Sequence, residues 1–327
     1  RMYGTFENCS GLTTMPDIPY GVEQMPTTFQ YCANLTTLKK LPDSLKTMNG
    51  TFGFCTSLTA PPNIPWAVTT MQYCFRECTR LQYAPAIPNS VEDLSFCFIR
   101  CTSIQFSGQL NCSSNGGIKN MTYAFDGCTG MTVMPDIPST VTTLNHAFHN
   151  CTSLTYAKEL PYGVIDAQYC FQGCTSIKSS GGLGGSITNL QGTFAGCTSL
   201  ETAPNIPGSA TTLESLFNGC TSLQKMAYNY SLATNLDYMY CDCMNMTSTN
   251  SLGKDGLAVS FGATTMNYTF RRCYKLQGRI QIKNKLTSFT ECFFNSCNAS
   301  ESGKKLVVDY YKASASIIND LIATKSN

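Results

Sequence analysis

Apolar positions recur along this chain with a period near 23 residues, far longer than the roughly 2 of a strand or the roughly 3.6 of a helix. The clearest marker is Phe-x-x-Cys, whose cysteines fall at Cys9, Cys32, Cys55, Cys78, Cys101, Cys128, Cys151, Cys174, Cys197, Cys220, Cys243, Cys273 and Cys297. Most steps are 23 residues; the exceptions are 27 (to Cys128), 30 (to Cys273) and 24 (to Cys297), and Tyr240 replaces Phe once. A unit this short cannot bury its own apolar face, so the units must stack. The fold class expected is a repeat solenoid of about thirteen rungs, mostly β, with short irregular or helical connections.

Each rung reads as a series of inward columns. An apolar residue follows the cysteine by three (Leu12, Leu35, Leu58, Leu81, Ile104), and an apolar pair precedes the Phe by seven and four (Val22 and Met25, Val68 and Met71). Between them lies Pro-x-Ile-Pro in several rungs, as at Pro62 to Pro65 and Pro204 to Pro207. Proline lacks the N–H that a central ladder needs, so this segment reads as a polyproline-like bend with its Ile pointing inward. Asn or Gly often precedes the cysteine (Asn8, Gly127, Asn150, Gly173), as expected where the chain turns with positive φ.

The string Phe-x-x-Cys-Thr-Ser-Leu with Val-x-x-Met ahead of it resembles the leucine-rich repeats of BspA-type bacterial surface proteins, over about residues 1–297. The resemblance implies a leucine-rich-repeat solenoid that is secreted or surface-displayed and works in adhesion. The repeats also resemble those of structural proteins of large gut bacteriophages and of surface proteins of parasitic eukaryotes.

Composition narrows the picture. Charged residues make up 13% of the chain against roughly 25% in ordinary globular domains, so the surface is built largely from Thr, Ser, Asn, Gln and Gly. The net charge of +2 conceals an asymmetry: residues 1–270 hold 12 Lys/Arg against 16 Asp/Glu, and residues 271–327 hold 10 against 4. No stretch approaches the ~20 apolar residues of a membrane span, and nucleic acid is not an expected partner. Arg1 opens inside a repeat already under way, so the solenoid domain, 1–297, reads as N-terminally incomplete.

Nineteen cysteines raise disulfides and zinc, but thirteen stand in one column, and an odd column cannot pair completely. A buried, reduced thiol ladder is the reading, with Cys behaving as a small hydrophobe. A serine put at such a position would carry a hydroxyl into the core without an assured partner. Cys74, Cys97 and Cys170 sit just before the repeat Phe, where other rungs have Thr28, Thr51, Ala124 or Ala147, marking a place for small side chains.

Chemistry is sparse. His146 and His149 are the two histidines; with Cys128 and Cys151 they suggest four zinc ligands on paper, but the cysteines belong to the core column. No nucleophile elbow, phosphate loop or paired-histidine motif is present. Gly181 to Gly185 replaces a Pro-x-Ile-Pro bend and reads as a bend. The chain is therefore expected to be no enzyme, with no cofactor and no metal.

The column two residues before the Phe is more informative. It reads Gly4, Thr27, Gly50, Tyr73, Phe96, Tyr123, His146, Tyr169, Gly192, Ser215, Tyr238, Tyr268, Cys292. Tyr73, Phe96, Tyr123, His146 and Tyr169 would form a stripe of rings at rung spacing, about 4.8 Å. They either pack a face of the solenoid or contact a ligand, and they are the candidate ligand-contact residues.

Residues 298–327 break the repeat and read as a C-terminal cap or linker, with a strand at Leu306–Tyr311 and a short helix at Ser314–Ala323. The preceding basic set, Arg271, Arg272, Lys275, Arg279, Lys283 and Lys285, either docks an acidic partner or is simply solvated. Two functions fit. One is an extracellular or cell-surface adhesion solenoid recognising a protein or glycan on a host or neighbouring cell. The other is a virion or filament component that acts as a spacer or assembles with neighbouring subunits.

Overall fold

The computed structural model describes residues 1–107, 110, 117–229, 231–247, 257–258, 263–282, 284–296 and 306–310. The expected helix at Ser314–Ala323 lies outside them. The chain divides into two compact units, Arg1–Thr155 and Tyr156–Asn327. Each is a stack of rungs, and no α-helix occurs among the described residues.

In the first unit the rungs are joined by single-residue parallel bridges at one polar column: Gln24, Thr47, Thr70, Asp93, Asn120 and Thr143. In the second the same column runs Asp166, Asn189, Thr212, Asn235, Thr265 and Ser288. The second unit also has short strands. β1 (Tyr156–Ala157) pairs with β2 (Ser179–Ser180), while β3 (Leu257–Ala258), β4 (Gly278–Ile282) and β5 (Leu306–Tyr310) form a parallel sheet in that order. The sequence-predicted terminal strand thus exists, and it adds to β4 in the register Gly278↔Leu306 to Ile282↔Tyr310.

The segment through the Phe explains why the motif is so regular. Alternate amides leave the rung: Met25, Thr27, Phe29 and Tyr31 donate to the carbonyls of Thr47, Asn49, Thr51 and Gly53 in the next one. The amides between them close tight turns three residues back, Thr28 to Met25, Gln30 to Thr27 and Cys32 to Phe29. Two residues per rung take left-handed φ to make this possible, two before and two after the Phe, as at Thr27 (51°) and Tyr31 (63°). The Asn and Gly before the cysteines do so too, at Asn8, Gly127, Asn150 and Gly173.

The inward columns are the core. Phe29, Phe52, Phe75, Phe98, Phe125 and Phe148 are fully buried and stack ring on ring, with neighbouring centroids 5.4–5.7 Å apart. Phe171, Phe194, Phe217, Tyr240, Phe270 and Phe293 repeat this in the second unit. Column cysteines from Cys32 to Cys273 are buried and free, and Cys9 is free but exposed. The thiols from Cys32 to Cys151, and of Cys197, Cys220 and Cys243, reach the carbonyl of the Phe one rung earlier, for example Cys55 to Phe29 at 3.2 Å and Cys220 to Phe194 at 3.1 Å. The carbonyl is therefore the partner that sequence alone did not assure. A hydroxyl uses it as well: Ser296 Oγ donates to Phe270 O at 2.9 Å.

That last bond corrects the final rung. Phe293, not Phe294, stacks on Phe270 and is buried, so Ser296 holds the place read as Cys297, which itself lies outside the described residues. The step from Cys273 to Ser296 restores the 23-residue interval. Cys292 consequently leaves the ring column for the small-residue column, fully buried, and Glu291 takes its place at φ 46°.

Pro-x-Ile-Pro forms no continuous strand, but its Ile is buried only at Ile87 and Ile206. At Ile64 and Ile137 the flanking prolines are buried instead, and the Ile is half exposed. At Ile206 the bend also reaches the next rung, its amide donating to Tyr228 O at 2.8 Å.

Candidate functional site

The ring column sits at the left-handed position two residues before the Phe. Tyr73 (57°), Phe96 (58°), Tyr123 (53°), His146 (53°) and Tyr169 (52°) all adopt it. In the first unit four of the five come together as one ladder: Tyr73–Phe96 at 4.6 Å, Phe96–Tyr123 at 4.9 Å and Tyr123–His146 at 4.3 Å between centroids. The planes lie within 11° of parallel. His146 Nδ1 also contacts Asn145 Oδ1, and its ring meets His149 edge-on at 5.4 Å. Tyr169 belongs to the second unit, where its ring lies over Gly192: a Cβ built there would fall 2.2 Å from a ring carbon. A second, shorter stack in that unit joins Tyr238 and Tyr268 at 4.7 Å.

All five candidates are partly exposed, Tyr73 most at 38%. They neither fill the core, which the Phe column does, nor stand free. Left-handed φ costs a non-glycine residue about 1–2 kcal/mol, and Gly4, Gly50 and Gly192 occupy the same position at φ 56–65°. The backbone therefore has no need of a ring here. Stacking returns about 0.5–1.5 kcal/mol beyond area burial, and partial burial about half of the roughly 1.5–3 kcal/mol of a fully buried side chain. The ring's net contribution to the fold is small, so a stripe of them is explained poorly by stability.

A neighbouring cluster escaped the sequence reading. Tyr31 and Phe54, two residues after the Phe, stack at 4.4 Å, and the Arg76 guanidinium carbon lies 5.0 Å from the Phe54 centroid and 6.0 Å from that of Tyr73. The signal was present: where many rungs place Asn or Gly before the cysteine, four consecutive ones carry Tyr31, Phe54, Glu77 and Arg100, all at positive φ. Arg100 pairs with Glu77 at 2.9 Å.

The histidines and cysteines imagined as zinc ligands are engaged separately. His149 Nδ1 meets Asp126 Oδ1 at 2.7 Å, while Cys128 and Cys151 donate to Phe98 O and Phe125 O. Among the described residues no cluster of three metal-ligating groups occurs. Burial pushes the thiols well above their ordinary range, as at Cys78 and Cys101; that of Cys241 is raised to about 11. A protonated, enclosed thiol is a poor nucleophile. Of the basic set, Arg271 pairs with Glu291 at 3.2 Å, Arg272 Nη2 donates to Asp242 at 2.8 Å, and Lys275 to Asn245 at 2.6 Å. No helix among the described residues is long and apolar enough to cross a membrane.

With this geometry in hand, comparison is direct. The sequence profile of the BspA type leucine rich repeat region matches in six copies, over residues 3–105, 68–179, 106–215, 146–258 and 191–303. The chain belongs to this family. Among solved structures it is similar to a leucine-rich repeat protein from Bacteroides ovatus, at 18% identity and a TM-score of 0.55, covering 90% of this chain and 91% of that one. A leucine rich cell surface protein from Faecalibacterium prausnitzii aligns at 19% identity over 100% of this chain and 80% of that one, with a TM-score of 0.44. The first of these shares the solenoid fold. Among curated proteins, none matches this chain. BspA-type leucine-rich repeats are binding and adhesion scaffolds, and leucine-rich repeat proteins in general bind proteins.

Proposed function

We propose that this BspA-type chain is a non-enzymatic, extracellular or surface-displayed binding solenoid that recognises a protein or glycan along its ring-bearing face. The observation that carries the reading is the ladder Tyr73–Phe96–Tyr123–His146, partly exposed on a backbone position that glycine fills without strain. Aromatic anchors with polar tips set in a neutral, amide- and hydroxyl-rich surface suit such contacts. Beside the ladder, His149 Nδ1 is engaged by Asp126 Oδ1, and the column thiols from Cys32 to Cys273 are buried.

The test is binding of the purified chain to arrays of immobilised glycans and extracellular-matrix proteins, repeated with Tyr73→Gly and Tyr123→Gly. Removing a ring at the centre of the contact should weaken binding by ~2 kcal/mol, more than ten-fold. Binding that survives both substitutions, or none to any probe, would overturn the reading.

A further inference from the structure

Arg76 is a cation held between rings without a counter-ion. Its guanidinium lies beside Phe54 and Tyr73, its Nε is buried with no hydrogen-bond partner, and among the described residues it forms no ion pair. The neighbouring arginine, Arg100, is neutralised by Glu77. A guanidinium in such a frame is a fork suited to a planar or tetrahedral anion.

The ring ladder ends at the same place. Side chains of this column lean toward the following rung, as Tyr169 does over Gly192 and the Thr27 methyl over Gly50, 3.2 Å from a Cβ built there. Tyr73 accordingly stacks forward on Phe96, and its other face is the one a side chain at position 50 would cover. Position 50 is glycine, and within 4 Å of its added Cβ the contacts are to Thr27 alone. Tyr73 is 38% exposed, as expected of a terminal ring with one open face. The gap left at Gly50 is a slot at the end of the ladder, bordered by the Tyr73 ring and by the Arg76 guanidinium, 6.0 Å from that ring's centroid.

Around the slot the surface is neutral and polar. Asn49 uses its Oδ1 to accept from the Gln72 amide, and Gln30 lies 3.5 Å from a Cβ built at Gly53. Amide groups of this kind match sugar hydroxyls, the Tyr73 face matches the C–H face of a pyranose, and Arg76 matches an acidic substituent.

We infer that Tyr73, Gly50 and Arg76 form a subsite for an acidic sugar residue, a pyranose bearing a carboxylate or a sulfate, at the end of the ladder. This rests on the ring face being the contact surface and names one class of ligand for it. The experiment is calorimetric titration of the chain with an oligogalacturonate, its methyl ester and a sulfated galactose oligosaccharide. Three variants accompany it: Arg76→Gln, Arg76→Lys and Gly50→Tyr. The last fills the slot with a ring at a φ (65°) close to that of Tyr73 (57°), so its folding is expected, and thermal melts check all three. At least one acidic sugar should bind ten-fold or more tighter than the ester, with ten-fold or greater loss in Arg76→Gln and Gly50→Tyr and partial retention in Arg76→Lys. The carboxylate and sulfate arms tell which acid is preferred. Equal binding of acid and ester, no binding of either acid, or binding indifferent to Gly50→Tyr would overturn the subsite. Loss of array binding in Tyr123→Gly would still stand in that case, so the two readings fail separately.

Discussion

At the scale of the residue, the repeat is governed by one carbonyl. The Phe C=O accepts from the cysteine amide of its own rung, as Cys55 N to Phe52 O at 3.1 Å, and from the cysteine thiol of the next, as Cys78 to Phe52 at 3.1 Å. The column therefore requires a small side chain with a donor, a stricter demand than a small hydrophobe. The periodicity made the column legible but not the bond, because nothing in a sequence says where a backbone carbonyl points. Ser296 meets the same demand. At Cys220, Ser should then cost no more than about 1 kcal/mol, since the bond to Phe194 O is kept, while Ala leaves the carbonyl short of a partner and should cost about 1–3 kcal/mol. Urea-unfolding midpoints of the two variants check this; a serine variant less stable than the alanine one would show that the thiol acts by bulk alone.

At the scale of the element, what holds a rung is the turn around the Phe more than any strand. Sequence pointed to that turn through Asn8, Gly127 and Asn150, and it missed that the same left-handed geometry would carry Tyr31 and Phe54 into a stack under Arg76. Side-chain direction at positive φ differs from that of a strand or helix, so column spacing alone does not reveal which columns meet. The last rung was misread for a related reason: Phe293-Phe294 and Ser296-Cys297 offer two registers, and burial of Phe293 on Phe270 selects one. The tail was legible as a strand because β5 has the apolar run Leu306–Val308, with two β-branched valines. Its place beside β4 predicts that deleting 306–327 bares the outer edge of Gly278–Ile282, giving concentration-dependent association or precipitation. Sedimentation of the truncated chain measures this, and a stable monomer would show that β5 is dispensable.

At the scale of the molecule, the architecture follows from the period and the function from what the period leaves over. Core columns repeat in every rung because each faces the same environment. The ring column varies, Gly in some rungs and rings in others, because its backbone tolerates both. That separation between what folds the chain and what it presents is the central claim, and one pair of variants tests it. Phe125 is fully buried and Tyr123, two residues earlier in the same rung, is partly exposed. Unfolding free energies of Phe125→Ala and Tyr123→Gly should differ widely: about 3–5 kcal/mol lost for the core ring, and about 1 kcal/mol for the ladder ring, whose removal also relieves left-handed strain. Equal losses would contradict the account, making the ladder a second core column and removing it as a contact surface.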